Sequence, residues 1–112
     1  MKTITWEDFR KIEFRVGTIL EVESFREAIN PAYKLTVDFG EEIGTKKTSA
    51  QITDLYDEST LCGKQVLAVV NLGKKQIGPM MSECLITGFH GEDGNVVLAV
   101  ADKEVPNGTR LA

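Results

Sequence analysis

Between Tyr33 and Phe39 the chain alternates without a slip: Tyr33, Leu35, Val37 and Phe39 are apolar, and Lys34, Thr36 and Asp38 between them are polar. A period of two sends successive side chains to opposite faces of a strand, so this segment must lie with one face on a core and the other in water. A second alternation sets Phe14, Val16, Leu20 and Val22 on one face and Arg15, Glu21 and Glu23 on the other. It predicts a long, half-buried strand that Gly17 bends or bulges. The Asn30-Pro31 turn separates the two strands, and Gly40-Glu41-Glu42 joins the second to a more polar third strand near residues 43–49, as a hairpin.

Val66 to Val70 is continuously apolar, which predicts a strand buried on both faces. Residues 85–89 and 96–101 predict two further strands around the turn Glu92-Asp93-Gly94-Asn95, and Asn107-Gly108 marks a last turn. Two short helices complete the pattern. Thr5 followed by Asp8, with Phe9 and Ile12 at helical spacing, predicts a capped helix near the start. Ile52, Leu55 and Tyr56 predict another within residues 50–58. Five or six short strands with one helix between the third and fourth is the order of an OB-fold, an all-β, five-stranded Greek-key barrel that closes its sheet to hide the edges. An SH3-like barrel satisfies the same strand pattern. At 112 residues, without an internal repeat or linker, the chain is expected to form a single domain over residues 1–112.

Several chemistries lack their residues. The only histidine, His90, sits beside Gly91 and two acids, away from any evident nucleophile, and the carboxylate pairs Glu41-Glu42 and Asp57-Glu58 fall in polar turns or helix ends. Cys62, Cys84 and His90 are three candidate ligands where a structural zinc site takes about four, so no metal and no cofactor are expected. Two widely spaced cysteines do not make a disulfide framework, and reduced thiols are expected. No glycine-rich phosphate loop occurs. The chain is therefore expected not to be an enzyme. The longest apolar run, Val96 to Ala101, is far short of the roughly 20 residues of a membrane span, and the first residues lack the apolar stretch of a signal peptide. A cytoplasmic location is expected. Seventeen acidic against thirteen basic side chains give a net charge of -4, which repels polyanions at long range. Any nucleic-acid contact must be local, and the lysine pairs Lys46-Lys47 and Lys74-Lys75 are the candidates.

The segment Val69-Val70-Asn71-Leu72-Gly73-Lys74-Lys75-Gln76-Ile77-Gly78-Pro79-Met80-Met81-Ser82-Glu83-Cys84-Leu85 resembles the signature of the tRNA-binding domain family, and Ile12-Glu13-Phe14-Arg15-Val16-Gly17-Thr18-Ile19 resembles that family's first strand. Asp38-Phe39-Gly40-Glu41-Glu42-Ile43-Gly44, Ser49-Ala50-Gln51-Ile52-Thr53 and Val105-Pro106-Asn107-Gly108-Thr109 resemble its CsaA branch, small bacterial proteins described as export-related chaperones. The resemblance implies an OB-fold homodimer, with Trp6, Phe9 and Ile12 of the N-terminal helix at the two-fold. It implies tRNA or another structured RNA as partner, met by Lys46, Lys47, Lys74 and Lys75, with Asn71 and Ser82 supplying neutral hydrogen bonds. The stronger RNA binders of the family carry a basic-x-basic-Gly run that falls here on Gln76, Ile77, Gly78 and Pro79, and commonly Gln where this chain has Glu83. These departures imply weak RNA binding. The same departures make Ile77, Pro79, Met80 and Met81 an apolar loop suited to unfolded or export-bound polypeptides, the alternative partner the resemblance implies. A structural accessory that recruits a synthetase is a third expectation, without residues of its own.

Overall fold

The computed structural model describes residues 1–112. The two alternating segments become β1 (Phe14–Ser24) and β2 (Tyr33–Asp38), and the polar third segment becomes β3 (Thr45–Ala50). β4 (Gln65–Val69) pairs antiparallel with the first half of β1, and the short β7 (Leu85–Ile86) pairs with β4, giving the order β3-β2-β1-β4-β7. The sheet curls until its ends meet, where the Glu83 N–H donates to the Lys47 carbonyl at 2.8 Å. The result is a nearly closed five-stranded antiparallel barrel of the OB type. Inside it Ile19, Leu35, Val37, Phe39, Ile52, Leu61, Val66, Ala68, Cys84 and Leu98 form one cluster. No helix is long and apolar enough to cross a membrane.

β2 follows its alternation residue by residue, with Leu35 and Val37 fully buried and Phe39 buried just beyond the strand. β1 departs from its expected phase. Gly17 pairs in regular register with Val66, and the bulge falls at Leu20, where the register with β2 shifts between Ile19 and Glu21. Ile19, with no exposed surface, enters the core and Leu20 turns outward, 47% exposed. Val16 is buried, but outside the barrel cluster. Glycine is required at position 17 for closeness: a Cβ there would stand 2.7 Å from the Phe39 ring and 2.7 Å from Val37 Cγ1.

Residues 50–58 do not form the expected helix. Ala50 still belongs to β3, and the helix α2 is Glu58–Leu61. Its start is fixed by Asp57, whose carboxylate accepts the Thr60 N–H at 2.9 Å while the Thr60 hydroxyl accepts the Asp57 N–H at 3.0 Å. A bond of 2.6 Å from the Ser59 hydroxyl, with the Thr60 N–H, holds the Asp57 carboxyl below its ordinary range. The N-terminal helix α1 (Trp6–Arg10) begins with the capping box of Thr5 and Asp8, as the spacing predicts.

The last strands are shorter than expected. The segment 85–89 divides into β7 and β8 (Gly88–His90), and β8 pairs with β9 (Val96–Leu98) in a separate hairpin. The presumed loop after β4 contains a further hairpin, β5 (Lys75–Ile77) and β6 (Met80–Ser82), turned by Gly78 at φ 54°. Residues 105–111 return to β1: Gly108 donates to the Val16 carbonyl at 2.7 Å and Leu111 to that of Phe14 at 3.0 Å. Gln65 locks this return, its side-chain amide donating to the Val105 carbonyl at 2.6 Å and accepting the Val105 N–H at 3.2 Å.

Gly17→Ala should destabilise the barrel by about 1–3 kcal/mol through overpacking against Phe39 and Val37, read as a lower urea midpoint at unchanged slope.

Candidate nucleic-acid interface

Thr48 is the only buried polar side chain of the barrel, and strand alternation points it inward. Its hydroxyl donates to the Cys84 carbonyl at 2.7 Å. With that proton committed, the 2.8 Å contact to Ser82 has Ser82 donating to the Thr48 oxygen. Residues 82 to 84 are thereby fixed along β3. Glu83, between them, bonds to Lys47 twice: its N–H donates to the Lys47 carbonyl, and its Oε1 accepts the Lys47 N–H at 2.9 Å. Its other oxygen, Oε2, lies 3.9 Å from Lys74 Nζ. Lys75, next along, stands opposite Ser82 in the β5–β6 register. Lys47 and Lys74 thus meet at Glu83, whose part in joining them the spacing of the lysine pairs does not reveal, while Lys75 and Ser82 share the other face of the hairpin.

The remaining expected RNA residues lie elsewhere. Lys46 occupies the opposite face of β3 from Lys47, close enough to Cys84 for its charge to act on the thiol. Asn71 has both amide atoms engaged: Oδ1 accepts the Glu13 N–H at 2.9 Å and Nδ2 donates to the Lys11 carbonyl at 2.7 Å. It ties the exit of α1 to the end of β4. On α1, Phe9 stacks on Phe14 with ring centroids 6.3 Å apart and Trp6 is 81% exposed, whereas Ile12, expected on this helix, lies beyond its end and is 39% exposed. No residue of α1 is buried.

The apolar residues of the β5–β6 hairpin separate. Pro79, Met80 and Met81 line a cleft of about 640 Å³ with Leu35, the acids Glu21, Glu23, Glu27 and Glu83, and the lysines Lys34 and Lys47, of which Lys34 lies 3.8 Å from Glu27. Ile77 lines a second, larger groove with Lys75, Ser82, Gln51 and His90. The cleft holds four carboxylates against two lysines, Lys34 and Lys47, and Lys74 and Lys75 are exposed at the hairpin beside it.

A family model described as "Putative tRNA binding domain" matches residues 14–110. The chain belongs to the tRNA-binding domain family. Among solved structures, this tRNA-binding domain is similar to chaperone CsaA from Bacillus anthracis, at 42% identity and TM-score 0.92 over 99% of this chain and 100% of that one. It is similar likewise to the CsaA chaperone protein of Picrophilus torridus, at 48% identity and TM-score 0.91 over 98% and 100% of the two chains. Among curated sequences, a methionine–tRNA ligase of Pyrococcus horikoshii is 34% identical over 112 residues, covering 99% of this chain. The chain spans only 15% of the length of that ligase.

In this tRNA-binding domain the two cysteines differ sharply. Cys62 is exposed, its Sγ 3.4 Å from the Leu20 carbonyl. Cys84 is in the core, and burial pushes its thiol from an ordinary 9.0 to about 11, with the Lys46 charge opposing the shift. Because the folded value is raised, the neutral thiol's contribution to stability is present below pH 9.0 and is lost as pH rises through about 11. At pH 8 a thiol reagent should therefore modify one cysteine per folded chain and two in denaturant, with Cys62 labelled first by mass spectrometry.

Proposed function

We propose that this domain binds tRNA or another structured RNA without catalysis, as a homodimer and with modest affinity. The observation that carries the reading is the approach of Lys47 on β3 and Lys74 at the adjoining hairpin to the one carboxylate of Glu83, with exposed Lys75 next along the chain, a local cationic ridge on a chain of net charge -4. Such a ridge neutralises phosphates where they touch, while the overall charge keeps long-range attraction low. Ser82 holds the hairpin against Thr48, and exposed Asn71, with a second Nδ2 hydrogen beside the one given to Lys11, supplies a neutral hydrogen bond. Lys46, on the inward face of β3 with Thr48, stands apart from this ridge. The family match supports RNA as the partner. Dimerisation is supported by Trp6 on α1 and Ile12 just past it, together with Ile4 and Leu111, all exposed apolar side chains that a second copy would cover. The absence of a long apolar helix agrees with a protein working in the cytoplasm.

Titrating labelled tRNA at low and physiological salt should give saturable binding, with two chains per RNA and a sedimenting mass of twice the chain. Lys74→Ala with Lys75→Ala should weaken it about three- to tenfold and lower the log–log salt slope by about one. Unchanged affinity in that variant would remove the ridge as the site.

A second reading is favoured by the cleft of Pro79, Met80 and Met81 and by the likeness to structures described as CsaA chaperones. The domain would hold unfolded or export-bound polypeptides there, flexible thioethers adapting to varied apolar segments. Met80→Ser with Met81→Ser should abolish suppression of client aggregation, measured by light scattering, and leave tRNA affinity within about twofold. A variant as protective as the parent would refute this reading.

A further inference from the structure

Glu83 is held in a way that a surface glutamate seldom is. Its neighbours are anchored on both sides, Ser82 by the Thr48 hydroxyl and Cys84 by burial and by the bond from Thr48 to its carbonyl. Its own N–H and Oε1 close a two-bond ring with the Lys47 backbone at 2.8 and 2.9 Å. The carboxylate therefore cannot swing away, and Oε2 remains beside Lys74 Nζ at 3.9 Å with only 29% of the side chain exposed. Lys74 is free to move, its side chain 66% exposed. A fixed anion next to a mobile cation competes with any phosphate that the cation could reach.

Resting on the RNA reading above, we propose that Glu83 is an internal competitor for the phosphate contact of Lys74 and thereby sets the affinity and salt dependence of RNA binding. Lys75 has no carboxylate within ion-pair distance and makes its contact unopposed. Glu21 and Glu23 line the neighbouring cleft without an ion-pair partner, so they repel RNA only through space. The two kinds of acid are separable by experiment, because only Glu83 acts through one named lysine.

Glu83→Gln removes the charge and keeps an oxygen to accept the Lys47 N–H, so the thermal midpoint serves as the control for folding. In tRNA titrations at several salt concentrations this variant should bind about three- to tenfold tighter than the parent at low salt, with a log–log salt slope steeper by about one. Lys74→Ala alone should change affinity by less than about twofold, yet in the Glu83→Gln background it should cost the whole gain. Glu23→Gln, the same change of formal charge in the cleft, should give a clearly smaller gain. Equal affinity and slope for the parent and Glu83→Gln would overturn the proposal and leave the RNA reading standing. A gain that survives Lys74→Ala, or that Glu23→Gln matches, would overturn it in favour of net charge. The Lys74→Ala arm leaves Glu83 untouched, so a large loss from that variant would overturn the proposal even if Glu83→Gln failed to fold. No binding by the parent and by Glu83→Gln at low salt would overturn the RNA reading itself, and the competitor with it.

Discussion

One hydroxyl joins the two ends of the sheet. Thr48 has no other polar company in the core, and without its bonds to the Cys84 carbonyl and Ser82 the segment before β7 would leave buried backbone unsatisfied along β3. An unpaired buried carbonyl costs roughly 1–3 kcal/mol, and the Glu83–Lys47 bonds beside it join the same two ends. The same bonds decide the surface. They lay residues 82 to 84 against β3, carry the β5–β6 hairpin to that edge, and so bring Lys74 within reach of a strand to which sequence distance gives it no relation. Core closure and the charge pattern outside it are one arrangement seen from two sides.

The parts of the fold that were legible are those in which a single rule acts alone. Tyr33 to Phe39 alternates in sequence and in burial because nothing interrupts its pairing with β1 and β3. In the first half of β1 the residues facing the barrel are Gly17 and Ile19, the phase opposite to Phe14 and Val16. The extra residue at Leu20 brings Val22 back to the core, so an unbroken even-numbered apolar pattern disguises the shift. The spacing of Ile52, Leu55 and Tyr56 imitates a helix for a different reason. Ile52 fills the core, Leu55 is exposed, and Tyr56 is placed by tertiary bonds, its carbonyl accepting from the Tyr33 hydroxyl and its own hydroxyl accepting the Leu98 N–H, each at 3.0 Å. Those partners are distant in sequence. A local pattern cannot report them.

The site shows the same division. The lysine pairs stood out as charge against an acidic background, and the motif from Val69 to Leu85 carried the family, which the match over residues 14–110 bears out. Treating each pair as a unit concealed the pleat, which sends Lys46 inward toward Cys84 and leaves Lys47 beside Glu83. Asn71 illustrates a second obstacle. Nothing in the residues around it announces that its amide is bonded to Lys11 and Glu13, some sixty positions earlier.

The return of residues 105–111 to β1 has a kinetic side. Phe14 and Val16 are synthesised more than ninety residues before the groups that pair their outer edge, Gly108, Thr109 and Leu111. Loop closure over that span is slow compared with the hairpins that form between neighbouring strands. Until it happens the first strand offers an open ladder on which a second nascent chain could add itself. The mutual fit of Gly40 against the Asn107 carbonyl and of Gly108 against that of Phe39, where a Cβ would come to 2.8 and 2.7 Å, makes the final docking discriminating: only the correct tail lies flat enough to seal the edge. Commitment to the native state is thus a late event, and the vulnerable interval lies between synthesis of the first strand and arrival of its last partner.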